Sequence, residues 1–171
     1  ANGENSASGF GITEKIFHSL IDAGVDVITS GNHIWDQKDT LIYIERETRL
    51  LRPANYPKGT PGKGSFLYKA ANGEQILIIN IMGRVFMNSL DDPFRVVDDI
   101  ITNNSLDNVA DVIFVDFHAE ATSEKLAMGY YLDGRVSMLA GTHTHIPTSD
   151  ARILSNGTGY ITDVGMSGDY D

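Results

Sequence analysis

Two histidines one residue apart, His143 and His145, sit in GTHTHIP (141–147) directly after the apolar run VSMLA (136–140), in a chain with only five histidines. Side chains at i and i+2 point the same way along extended backbone, so such a pair at a strand mouth can offer two imidazole nitrogens to one cation. Two other apolar stretches end in the same manner. VDVITS runs into Gly31-Asn32-His33, and DVIFVDF runs into His118-Ala119-Glu120. The opening Asn2-Gly3-Glu4-Asn5 precedes a helical pattern and reads as the tail of a fourth strand. Ligands in open α/β sheets gather outside the carboxyl ends of strands. Four of the five histidines, two asparagines and a glutamate are therefore expected on one rim. Imidazole nitrogen with carboxylate and amide oxygen is a ligand set for Mn, Fe or Zn. Taken singly, each segment has a structural reading: His118 as a hydrogen-bonded core residue, Gly-Asn-His and Asn-Gly as turns. Their recurrence at equivalent strand ends is what favours a site. His18 is the contrast, lying on a helical ridge with Glu14 and Asp22 opposite the apolar face, and it is assigned no chemistry.

The elements that would position these residues follow from periodicity. ITEKIFHSLIDAG (12–24) has Ile16, Phe17, Leu20 and Ile21 on one face and Gly24 after its end, a helix pattern. DDPFRVVDDIITNN (91–104) is a second helix, capped by Asp91 or Asp92, with Pro93 in its first turn and Phe94, Val97, Ile100 and Ile101 inward. SEKLAMGYYL (123–132) is a third. VDVITSG (25–31), DVIFVDF (111–117) and VSMLA (136–140) are strands, and Asn72-Gly73 inside FLYKAANGEQILIIN (66–80) marks a hairpin. ARILSNGTGYITDVG (151–165) reads as a further strand pair. Strands alternating with helices imply an α/β fold with a mixed sheet.

Bulk composition limits the partners. The 171 residues carry 13 basic and 23 acidic side chains, a net charge of -10, which argues against extended nucleic acid held by a basic surface. A phosphate-bearing small molecule stays compatible, because bound divalent cations supply local positive charge. The absence of cysteine excludes disulfides and thiolate metal sites. No apolar run approaches the roughly 20 residues of a membrane helix, and no signal peptide pattern is visible, so the cytoplasm is the expected location.

GNHIWD (31–36), DFHAEATSEK (116–125) and GTHTHIPT (141–148) resemble the calcineurin-like metallophosphoesterases. NGEN (2–5), LRPAN (51–55), GTPGKG (59–64), LDDPF (90–94) and ITDVGMSG (161–168) narrow the likeness to the YmdB-type branch of bacterial phosphodiesterases, across essentially the whole chain. The resemblance implies a β-sandwich flanked by helices, in α/β/β/α layers, around two divalent ions, Mn or Fe, with Zn as a further option. By motif, Glu4 would bridge both ions, Asn5 and His145 would hold the first, and Asn32, His118 and His143 would hold the second. His33 would sit beside the substrate phosphate as a proton donor or phosphate partner. Asp116 and Asp163, near predicted strand ends, are candidates to orient ligand histidines from behind. Arg52, Arg84 and Arg135 are candidates to face the substrate, and the sequence does not rank them.

Family members begin with a strand ending in Gly-Asp, whose aspartate holds the first metal, and nothing before Ala1 supplies it. Residues 1–171 are therefore expected to be a single domain incomplete at both termini, lacking its N-terminal strand. The expected activity is hydrolysis of phosphodiesters, 2′,3′- or 3′,5′-cyclic nucleotides in particular, by a hydroxide shared between two ions about 3.5–4 Å apart. Two alternatives stand beside it: a phosphomonoesterase or nucleotidase on the same scaffold, and a non-catalytic metal-binding regulator. A homo-oligomer is a further expectation, since an unpaired strand edge invites another chain.

Overall fold

The Asn72-Gly73 pair turns the chain back on itself. Gly73 takes a φ of +96°, which a residue without Cβ adopts freely, and Ala70 N–H closes the turn onto Glu74 O at 2.8 Å. The strands it joins, β1 (Ser65–Lys69) and β2 (Gln75–Met82), pair antiparallel with Leu67 opposite Leu77. The computed structural model describes residues 1–106 and 108–168. In it β2 opens a six-stranded mixed sheet. β3 (Val112–His118), β4 (Met138–Thr142) and β6 (Gly159–Ile161) follow β2 in parallel, and β5 (Arg152–Ile153) closes the far edge antiparallel. The strand order is β1-β2-β3-β4-β6-β5. The register sets Met82 opposite His118 and His118 opposite Thr142, so the three central strands finish level with one another.

Alternation along these strands divides the labour between the two faces. Leu77, Ile79 and Ile81 of β2, Ile113, Val115 and Phe117 of β3, and Leu139 of β4 bury in one core with Val97 and Ile101 of α3 (Pro93–Asn103) and Met128 of α4 (Thr122–Tyr131). Asp92 caps α3 by accepting from Phe94 N–H at 2.9 Å, and Pro93 opens it, where a missing N–H costs no helical bond. Residues of the other parity, Asn80 and Asp116, are polar and reach a second layer made of residues 1–52. Asn80 Oδ1 accepts from Ser30 N–H at 3.0 Å, while Asp116 Oδ2 accepts from Asn2 Nδ2 at 3.0 Å and from Thr29 Oγ1 at 2.5 Å.

That second layer has its own core of Ile12, Phe17, Ile28, Ile34, Tyr43, Ile44 and Leu50. It is packed by α1 (Glu14–Asp22) and the short α2 (Thr40–Tyr43). Thr13 caps α1 by accepting from Ile16 N–H at 3.3 Å, and Gly24 follows its end at φ +99°. The strand expected at 25–31 is reduced to isolated parallel bridges, Asn2 with Thr29 and Ile28 with Leu50. Its neighbours leave the ladder quickly. Pro53, two residues beyond Leu51, has no N–H to give, and Asn2-Gly3 turns at once into residues 4–9. β4 differs too, lying two residues later than the expected 136–140. Gly141 permits that shift, since a Cβ there would stand 1.8 Å from Thr162 O.

Gly141→Ala must push β4 from β6. It is expected to cost about 3 kcal/mol or more in urea denaturation, the upper end for overpacking, because the atom met is backbone.

Candidate metal centre

The level strand ends place His118, the last residue of β3, beside Thr142, the last of β4. His118 Nδ1 lies 3.0 Å from Thr142 Oγ1, and that hydroxyl donates its one hydrogen to Asp116 Oδ1 at 2.7 Å. Thr142 Oγ1 can then only accept from His118, which fixes the imidazole proton on Nδ1. In the neutral ring Nε2 is a bare lone pair. Around it stand Glu4 Oε2 at 2.9 Å, Asn32 Oδ1 at 3.0 Å and His143 Nδ1 at 3.1 Å.

His143 is set in the complementary sense. Its Nε2 lies 3.0 Å from Glu120 Oε2, which takes the N–H and leaves Nδ1 as the lone pair facing His118. Burial lowers its pKa below the ordinary 6.5, with the neighbouring His118 acting in the same sense and the Glu4 and Glu120 charges opposing. The ring is neutral at pH 7. Glu4 is buried, and its Oε1 accepts from His33 N–H at 2.8 Å. Burial raises its pKa, but in metal-free protein the hydrogen bond and charge that a proton on His118 Nε2 brings, together with the His33 amide, outweigh it and hold the carboxyl below the ordinary 4.5.

Four acceptor atoms thus crowd one point with no hydrogen among them in the neutral rings, an arrangement that a cation relieves. The spacing fits one: ligands each about 2.0–2.2 Å from a common ion and at right angles to each other stand about 3 Å apart. Glu4, His118 and His143 present ligand atoms all within 4.8 Å of one another. Gly31 makes the approach feasible, because a Cβ at that position would lie 2.3 Å from His118 Nε2.

Asn5 and His145, one residue beyond Glu4 and two beyond His143, form a separate contact, His145 Nε2 to Asn5 Oδ1 at 3.1 Å. The two histidines of GTHTHIP therefore diverge, and the extended-backbone geometry expected of them is not what the chain adopts. His143 has φ +105° and His145 φ +66°, so one ring meets His118 and the other meets Asn5. His33 lies beside Glu4 by its backbone, while its Nδ1 is 2.6 Å from Asp36 Oδ2 and the Phe10 ring meets it edge-on at 5.4 Å.

Asp116 reaches His118 through Thr142. Asp163 accepts from Thr144 N–H at 3.1 Å, Gly165 N–H at 2.8 Å and the buried Lys125 Nζ at 2.7 Å, and so braces the loop that carries His143 and His145. Burial raises its pKa, yet the Lys125 hydrogen bond and the Gly165 amide hold it below the ordinary 3.8. Of the arginines, Arg52 spends its guanidinium on the carbonyls of Pro53, Thr60 and Pro61, clasping a loop, and Arg135 pairs with Asp98 on α3 at 2.5 Å. Arg84 is exposed, with its backbone N–H on Glu124. Sequence reasoning gave no role to Thr142 or to the Glu120 carboxylate, whose parts depend on strand register and loop path.

A family model described as YmdB-like protein matches residues 1–171. The chain is 56% identical over 170 residues to a Bacillus subtilis protein named 2′,3′-cyclic-nucleotide 2′-phosphodiesterase, covering 99% of this chain and 63% of that relative. The crystal structure of a hypothetical protein from Thermus thermophilus superposes with a TM-score of 0.92 at 49% identity, covering 99% of this chain and 65% of that one. A crystal structure described as a novel phosphatase, from Mycoplasma pneumoniae, gives 0.86 at 38% identity, covering 96% and 59%. The chain spans about three fifths of the length of these relatives.

Glu4 and Asp163 have depressed folded-state pKa values, so their contribution to stability is complete above their ordinary 4.5 and 3.8 and is lost as pH falls through the lower folded values. Chemical denaturation of metal-free protein is expected to show that loss below pH 4.5, and less of it in Glu4→Gln. Gly31→Ala is expected to displace the His118 ring, costing about 1–3 kcal/mol in the same assay.

Proposed function

The chain belongs to the family of YmdB-like proteins, and from that premise we propose that it is the larger part of a metal-dependent phosphodiesterase acting on small cyclic nucleotides, 2′,3′- or 3′,5′-cyclic. Metal dependence rests on one observation: Glu4 Oε2, Asn32 Oδ1 and His143 Nδ1 all stand within 3.1 Å of His118 Nε2. The substrate class is supported by the name of the Bacillus subtilis relative. In this reading residues 1–171 contribute one domain, in which Asn32, His118, His143 and Glu4 would hold one divalent ion and Asn5 and His145 would help to hold another. Mn, Fe or Zn suits these nitrogen and oxygen donors. Divalent ions supply an acidified water and neutralise phosphoryl charge, which lets a chain of net charge -10 take an anionic substrate.

The protein's own groups do the rest. The Asp116–Thr142 pair keeps the proton on His118 Nδ1, and Glu120 keeps it on His143 Nε2, so both rings present lone pairs inward. His33, with Nδ1 engaged by Asp36, has Nε2 as the nitrogen for proton transfer to the leaving oxygen. Such general acid help is typically worth about 10²–10⁴ in rate. The description of the Mycoplasma pneumoniae relative as a phosphatase favours a second reading, a monoesterase on the same scaffold.

Full-length protein loaded with Mn²⁺ is expected to hydrolyse bis-p-nitrophenyl phosphate faster than the p-nitrophenyl monoester; the reverse order supports the monoesterase. Glu4→Gln is expected to abolish turnover and lower the bound metal measured by elemental analysis. Full activity with normal metal content in that variant would contradict the assignment.

A further inference from the structure

Phe86 is 88% exposed, more than any other large apolar side chain among the described residues. A single exposed apolar residue is ordinary. This one is not placed by accident of a slack loop. Its φ is +62°, a left-handed conformation that disfavours a residue with a Cβ and that glycine would adopt at less expense. The three residues leading into it are tied down. Gly83 N–H donates to His118 O at 2.9 Å, the backbone of the central site residue. Arg84 N–H and Val85 N–H both donate to the Glu124 carboxylate in the first turn of α4, at 2.9 to 3.2 Å. Gly83 suits that approach, since a Cβ would stand 2.6 Å from Ala119 Cβ.

A cleft of about 150 Å³ has Asn32 and His143 on its wall together with Phe86, Met87 and Asn88. Ligand pockets usually enclose about 300–1,000 Å³, so this one takes a single group and leaves the remainder of a ligand over its rim. The group that fits beside Asn32 and His143, in the reading above, is the phosphate. Phe86 then offers the rim an uncharged aromatic face, in a chain of net charge -10 whose carboxylates would repel any further anionic group.

We propose that Phe86 determines specificity: its ring is a fixed platform on which the substrate's nucleobase stacks while the phosphate lies against Asn32 and His143. This deepens the phosphodiesterase reading and rests on it. The strained backbone turns the ring out to the rim, and the ties to His118 and Glu124 keep its distance from the phosphate constant, so the base is read without a deep pocket. Every base has a π face, so the platform separates nucleotides from base-free diesters rather than one base from another.

The test uses full-length, Mn²⁺-loaded protein and two substrates with the same five-membered cyclic diester: adenosine 2′,3′-cyclic phosphate and glycerol 1,2-cyclic phosphate, which has no base. For Phe86→Ala, the ratio of kcat/KM for the nucleotide to that for the glycerol ester is expected to fall about tenfold or more, mostly through KM, as loss of one stacked base requires. Phe86→Tyr and Phe86→Trp are expected to restore the ratio. An unchanged ratio in Phe86→Ala, including an equal loss on both substrates, overturns the proposal and leaves the phosphodiesterase reading standing. So does a change in oligomeric state on gel filtration with the ratio intact, which would make Phe86 a protein contact. Metal-loaded wild type that hydrolyses neither ester refutes the phosphodiesterase reading, and this inference falls with it.

Discussion

Lone pairs that face one another repel, and with neutral rings the protein holds three of them around that of His118 Nε2. Three of the four side chains are fixed from behind. Asp116 and Thr142 lock His118, Glu120 locks His143, and the His33 amide holds Glu4. Asp116 is central to this, because its carboxylate also accepts from Thr29 and Asn2. The same buried anion that assigns the proton on His118 joins the sheet to the layer that delivers Glu4 and Asn32. Site and fold share one interaction, so neither can be altered independently at that residue.

What could be read from the sequence was chiefly the placement of strand ends. DVIFVDF and VSMLA announced neighbouring buried strands, and the polar residues after them do meet. Helix limits were also close, since Thr13, Asp92, Pro93 and Gly24 are local signals that act within one turn. The failures were of a different kind. His143 and His145 were expected side by side on extended chain, but Asp163 accepts from Thr144 N–H and draws the loop into left-handed conformations that separate the rings. Thr142 and Glu120 matter only through the register of β3 with β4 and the path of the chain beyond, which no single-strand pattern encodes. Arg52, Arg84 and Arg135 could not be ranked, because a sequence does not show the carbonyls of Pro53, Thr60 and Pro61 converging on the Arg52 guanidinium.

Lys125 shows how the acidic chain uses a cation internally. It is fully buried on α4 and pairs with Asp163, itself 1% exposed. Desolvating two charges offsets much of their attraction, so the pair adds little net stability over a well-packed apolar one. Its effect is positional. Asp163 also takes Thr144 N–H and Gly165 N–H, so the ammonium anchors the histidine loop to a helix whose first turn, through Glu124, holds residues 84–85. One helix thereby references both walls of the cleft.

The left-handed backbone at His143 and His145 has an evolutionary corollary. For a residue with a Cβ that conformation costs roughly 1–2 kcal/mol, against a total folding free energy of only about 5–15 kcal/mol. A sequence selected for endurance alone would drift to glycine or asparagine at both positions. Histidines at both positions spend stability that glycine there would keep, which places the loop among the last regions where consensus-style stabilisation should be attempted.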